Sequence, residues 1–349
     1  VANTAITAML SGTAVQPEPA MQSRRRNHYD VTNQVCIADP QDVLHAVTGL
    51  LQRQDSRYQP AGLQAAFRRF TELHAGLLPG YAAADTRYHD AQHSLDCALG
   101  TARLIDGYNQ AMAPSERISP RRAELGILIA LFHDAGYIRR TGDLASNGAC
   151  YTLSHVQRSS EFLQRNLPSL GFAEEAALAA RIVHFTGYEM PLDAIDVHDP
   201  LDRALGFMIA SSDLIVQTAD RCYLEKCRDF LYPEFEVAGL AGTPQIGGPT
   251  PVYASVDVLM RGTPAFNERI WRERLDGYFD GIHRYFSVHF GSRPRAPNPY
   301  TDAIKANLRR VKLAIRSGCY DQLRLRPRAV DAAWMRQRLA AADTLAAAA

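Results

Sequence analysis

Histidines and aspartates at helical spacing are the first feature of this chain that chemistry can use. An apolar run, Leu128-Ile129-Ala130-Leu131-Phe132, ends in the adjacent pair His133-Asp134 and then Gly136. A neutral imidazole nitrogen beside a two-oxygen carboxylate makes a cation site, and the carboxylate is able to bridge two ions. His89 and His93 stand four residues apart, so a helix places them on one face. Asp213 follows Leu205, Phe207, Met208, Ile209 and Ala210; a carboxylate buried in such a helix is costly unless paired, and a metal ion is a natural partner. His155 opens a helix behind Ser154, a candidate N-cap with Gln157 as its capping-box partner. His184 closes another helix before Thr186-Gly187. Each residue also has a plainer reading, as a histidine that packs or caps, or an aspartate bonded to a nearby hydroxyl. The ordered set His93, His133-Asp134, His155, His184, Asp213 weighs against those readings.

The elements that must position this set are helices. Periods near 3.6 run through 40–80, 85–107, 121–132, 155–163, 176–185, 201–219 and 265–290, and strand signals are almost absent. The expected fold is all-α, a helical bundle with the binuclear metal site at its centre. The helix ending at Phe132 is apolar almost all round and belongs in the middle of the bundle. Residues 140–150 read as a loop walling the site, and 238–264, rich in Gly, Pro and Thr, as a long loop that closes over it or only connects helices. The aromatic stripe of 265–290 reads as core. The expected organisation is a flexible arm over 1–35, a catalytic domain over 36–290 with its core at 85–290, and a C-terminal helical extension over 291–349 suited to packing or homodimerisation.

Composition narrows the function classes. Among 349 residues, 38 are basic and 37 acidic, which gives no sign of bulk nucleic-acid or membrane-surface binding. No apolar run reaches the roughly 18 residues that span a bilayer, and no basic head precedes a signal-type apolar core. The 6 cysteines are scattered without a CxxC pair, as for reduced thiols in a cytoplasmic protein.

The ordered set resembles the HD-domain superfamily of metal-dependent phosphohydrolases over residues 85–290. Tyr88-His89-Asp90-x-x-His93 is similar to the first metal motif of cyclic-nucleotide phosphodiesterases, Tyr-His-Asn-x-x-His. The segments at 155–184 and 213–223, including Asp220-Arg221-Cys222-Tyr223, resemble the bacterial HD-GYP branch. Gly187-Tyr188-Glu189 departs from Gly-Tyr-Pro, with one histidine before it where that branch has two. The resemblance makes His155 a ligand. It gives position 89 two roles, general acid in the phosphodiesterases or an additional ligand as in the HD-GYP proteins. Relatives carry Lys or His three residues after the HD pair; here that place is Tyr137, with Arg139 and Arg140 following. Tyr137, Arg139 and Arg221 are the expected substrate contacts.

Four histidines and two aspartates are too many for one ion and suit two that share Asp134. His93, His133, Asp134 and Asp213 are expected around the first, and Asp134, His155 and His184 around the second. So much imidazole favours Fe, Mn or Zn over Mg. Two cations about 3.5–4 Å apart activate a bridging hydroxide and clamp phosphate oxygens, with His89 protonating the leaving alkoxide. The leading expectation is a phosphodiesterase acting on a nucleotide or cyclic nucleotide. The alternatives are an HD-fold di-iron oxygenase, which uses the same ligand order, and a catalytically weak nucleotide-binding sensor.

Overall fold

The computed structural model describes residues 25–243 and 250–348 and is helical, with three isolated bridges and no sheet among the described residues. In chain order the helices are α1 (Pro40–Gln54), α2 (Ala61–Ala75), α3 (Ala91–Ala111), α4 (Pro120–Phe132) and α5 (His155–Asn166). Then come α6 (Ala176–Ile182), α7 (Pro200–Ala219), α8 (Tyr223–Lys226), α9 (Tyr232–Val237) and α10 (Val256–Arg269). The chain ends with α11 (Tyr285–His289), α12 (Pro299–Ser317) and α13 (Ala332–Ala348). Two π-helical turns, Cys227–Leu231 and Ile270–Tyr278, interrupt the later helices.

Capping explains where the central helices begin. Asp90 Oδ1 accepts the His93 amide at 3.1 Å, Ser119 caps α4 with Pro120 in its first turn, and Asp199 accepts two amides at the head of α7. The third residue of the first motif, Asp90, is thus a helix cap; its Oδ2 accepts Val330 N at 2.8 Å. Helix α3 is buried along nearly its whole length and lies against α1, α4, α7 and α11. Gly107 permits the last contact: a β-carbon there would overlap the Tyr285 carbonyl oxygen.

Residues 25–35 and the C-terminal helices belong to this body. Residues 25–35, expected in a loose arm, are folded: Asp30 is 0% exposed and accepts the amides of Gln34 and Val35, both at 2.9 Å. Its partner is Arg103 of α3, at 2.5 Å, which also donates to Tyr300 of α12 at 2.9 Å. A buried guanidinium needs such a carboxylate, since an unpaired charge would cost several kcal/mol. Residues 1–24 of the expected arm lie outside the described residues. The C-terminal helices bury Tyr300, Ile304 and Met335 in the same core, and Trp334 Nε1 donates to Ala38 O at 2.8 Å. Their apolar faces are therefore used within the chain. The stripe at 265–290 is core as expected, with Leu275, Phe279 and Phe286 at most 1% exposed. Part of the expected loop, from Val256, is helix α10; residues 244–249 of that loop lie outside the described residues. No helix among the described residues is long and apolar enough to cross a membrane.

Candidate metal centre

Four helices meet where the histidines cluster. Helix α3 presents His93 just inside its Asp90 cap, α4 ends so that His133 and Asp134 follow its last residue, α5 begins with His155, and α7 carries Asp213 in mid-helix. Two glycines set the spacing. At Gly100 a β-carbon would displace the Ser212 hydroxyl, which instead donates to Cys97 O at 2.9 Å and draws Asp213 against His93. At Gly136 a β-carbon would strike the His155 carbonyl oxygen, so the turn after Asp134 lies directly on the start of α5.

The side chains then converge. His93 Nε2 is 3.2 Å from Asp213 Oδ1 and 3.5 Å from Asp134 Oδ2; His133 Nε2 is 3.3 Å from Asp134 Oδ2 and 3.8 Å from Asp213 Oδ1. Ligands bonded to one ion at about 2.1 Å stand roughly 3.0–3.4 Å apart when cis, so these four suit a shared ion. The other oxygen, Asp134 Oδ1, is 3.7 Å from His155 Nε2. Asp134 thus faces two histidines with one oxygen and a third with the other, as a bridging carboxylate does.

The tautomers point the same way. His133 Nδ1 donates to Ala130 O at 2.7 Å and His155 Nδ1 to Thr152 O at 2.8 Å, which leaves both Nε2 lone pairs facing the aspartates. His133 Nε2 and Asp134 Oδ2, though close, are buried and not aligned in a hydrogen bond with any partner. Leaving such groups unsatisfied costs about 1–3 kcal/mol each; a cation at their point of convergence removes that cost. Burial lowers the His155 pKa to about 4, so its imidazole is neutral and able to coordinate. Burial also disfavours charge on His133, but Asp134 and Asp213 outweigh it and raise the pKa to about 9. A proton then holds the place between the carboxylates that a metal ion would take.

His93, Cys97, His133 and Asp213 offer ligand atoms within 4.8 Å of one another. Cys97 is the weak member. Burial, reinforced by Asp213 and Asp134, pushes its thiol pKa well above the ordinary value, and the thiol is a poor ligand until deprotonated. Cys97→Ser is expected to keep the metal content measured by atomic absorption and to change activity less than about threefold, whereas loss of a true ligand costs far more.

His89 stands beside this cluster. Its Nδ1 pairs with Glu234 Oε2 at 2.7 Å, its ring stacks on Tyr137 at 4.2 Å, and Nε2 lies 3.4 Å from the Tyr137 hydroxyl. It makes no ion pair with Asp134 or Asp213. Burial opposes charge on this imidazole, but the Glu234 hydrogen bond and nearby carboxylates more than compensate and raise its pKa. Glu234 is the partner of His89 that sequence reasoning missed. Its Oε1 also accepts the amides of Arg87 and Tyr88, both at 2.6 Å, so the carboxylate is locked. The available signal was a glutamate within the apolar run Phe230, Leu231, Tyr232, Phe235.

Several expected features fall elsewhere. His184 is buried with Nδ1 unpartnered, does not line the cavity beside the cluster, and forms no ion pair with Asp134. The end of its helix tightens into a 3-10 turn, Val183–Thr186, which Arg274 holds through Phe185 O and Gly187 O at 3.4 and 2.6 Å. Arg139 pairs with Asp85 at 2.9 Å, and Arg221 donates to Asn27 at 2.9 Å; neither lines the cavity, because each guanidinium finds partners on the outside of the bundle. Tyr137 does line it, packed between His89 and His155 at 4.2 and 4.4 Å. Ser154 forms no cap bond. Glu189 takes the free amides of Val156 and Gln157 at 2.8 and 2.9 Å, a carboxylate being the stronger partner for a helix N-terminus. The near wall is Thr152 and Leu153 rather than 140–150, and Leu240 and Tyr253 of the later loop line the cavity.

No protein-family model, curated protein or solved structure matches the chain.

Proposed function

We propose that this chain is a metal-dependent phosphohydrolase of HD-domain type, acting as a phosphodiesterase. The observation that carries this reading is the unsatisfied, buried pair His133 Nε2 and Asp134 Oδ2, aimed with His93 and Asp213 at one point beside a cavity. Divalent ions bound there, with Fe, Mn or Zn the better match to the imidazoles, supply Lewis acidity and an activated water. His93, His133, Asp134 and Asp213 hold the first position. Asp134 and His155 would hold a second. His184 stands apart from this set.

The other groups handle the proton and the geometry. His89 Nδ1–H points to Glu234, so Nε2 is the nitrogen that gives a proton to the departing oxygen. Tyr137 fixes the plane of that ring by stacking. Gln217 Nε2 donates to Asp213 Oδ1 at 3.0 Å and steadies the carboxylate. As water adds to phosphorus, the P–O bond to the leaving group breaks, that oxygen takes the His89 proton, and a proton from the water restores the charge balance.

The test is hydrolysis of bis(p-nitrophenyl) phosphate under argon by manganese-loaded protein. Turnover without oxygen is the expected result. Loaded protein that is inert on every phosphoester, but consumes oxygen when iron is bound, would put the oxygenase reading in its place.

A further inference from the structure

The cavity beside the metal cluster has a lining of two chemical kinds. Its volume is about 380 Å³, enough for a small organic group. Its lining combines a polar set at the cluster, with His89, Asp134 and Asp213, and an apolar set, with Leu231, Phe235, Leu240, Tyr253, Leu259 and Phe266. No lysine or arginine lines it among the described residues, and residues 244–249 contain none. Among nearby cations, Lys226 pairs with Asp220 at 2.7 Å, Arg139 with Asp85, and Arg274 with two carbonyls and the Tyr188 ring, while Arg269 acts on Tyr188 and Tyr253 from outside the lining. Glu189, a carboxylate, lines the wall instead. Away from the metal cluster, no lysine or arginine of the described lining offers a second or third phosphate the counter-charge by which multiply charged phosphates are recognised.

No amide side chain among the described lining residues is free to read a base edge. Gln217 is the one amide side chain among the described lining residues, and both its ends are taken: Nε2 by Asp213 and Oε1 by the Tyr88 hydroxyl at 3.2 Å. Turning it to a base edge would strip Asp213 of a hydrogen bond.

We infer that, granting the phosphohydrolase reading, the pocket selects a singly charged phosphodiester whose organic group is apolar, alkyl or aryl, and rejects nucleoside polyphosphates. Water displaces one alcohol, which leaves with the His89 proton, and the product is the phosphate monoester of the other alcohol. The apolar group packs against the apolar set that includes Leu231 and Phe266.

The experiment uses manganese-loaded protein and p-nitrophenyl alkyl phosphates with ethyl, butyl and hexyl groups, so that the leaving group stays constant. The expected kcat/KM rises about fourfold per added methylene, ATP is neither hydrolysed nor inhibitory, and Leu231→Arg flattens the series. A flat or falling series in the native protein, or faster turnover of ATP, would overturn the inference while leaving the hydrolase reading intact. Calorimetry of n-alkylphosphonates on the same protein separates the two claims. Chain-length-dependent binding without hydrolysis of any ester sinks the hydrolase reading and keeps the apolar selection. Binding independent of chain length sinks the selection itself.

Discussion

Asp134→Asn should lower phosphodiester turnover at least about a thousandfold and leave at most one ion per chain. Among the described residues, Asp134 alone has two oxygens that face both halves of the cluster, His93 and His133 on one side and His155 on the other. Asparagine keeps the shape, loses the charge, and presents one oxygen instead of two. The fold should survive, because asparagine is the same size and an amide costs less to bury than a carboxylate. Thermal melting distinguishes this from general damage. Manganese at a hundred times its dissociation constant should stabilise the native chain by about 2.7 kcal/mol per site, and the variant by half that or less. Two bound ions and native turnover in Asp134→Asn would remove the bridging role.

Glu234→Gln should lower kcat about a hundredfold with little change in KM, and should move the basic limb of the pH profile to lower pH. The sign follows from the charge. Glu234 helps to raise the His89 pKa above 6.5, and the protonated ring is the acid, so activity falls as pH rises through that pKa. Without the carboxylate the pKa drops and the fall begins earlier. The amide group of glutamine would also face Nδ1 with a donor, favouring the neutral tautomer with its hydrogen on Nε2. Rates against pH from 5 to 9 for both proteins decide the matter; a lower kcat with an unmoved basic limb would make Glu234 merely structural.

The sequence showed the cluster's core because burial and chemistry conflict there. His133-Asp134 at the end of an apolar helix and Asp213 in the middle of another are expensive placements, and the structure brings both to His93. His155 was assigned by resemblance, and its place rests on the Gly136 close approach. Glu234 stayed hidden because its bond to His89 spans 145 residues, a pairing that no periodicity reports. Arg139 and Arg221 lie off the cavity because a guanidinium next to a motif in sequence goes to whichever oxygen the tertiary fold supplies, here Asp85 and Asn27. The packing of residues 25–35 and of the C-terminal helices onto the bundle is not legible in local sequence. The burial of Asp30 and Trp334 depends on Arg103 and on the Ala38 carbonyl, both far away in the chain.

Metal-free protein titrated with manganese under argon, with bound metal and hydrolysis rate followed together, tests the central claim most directly. Two ions per chain should bind, with turnover appearing as the second is taken up. A chain that holds two ions and hydrolyses no phosphoester, or that needs oxygen to act, would contradict it.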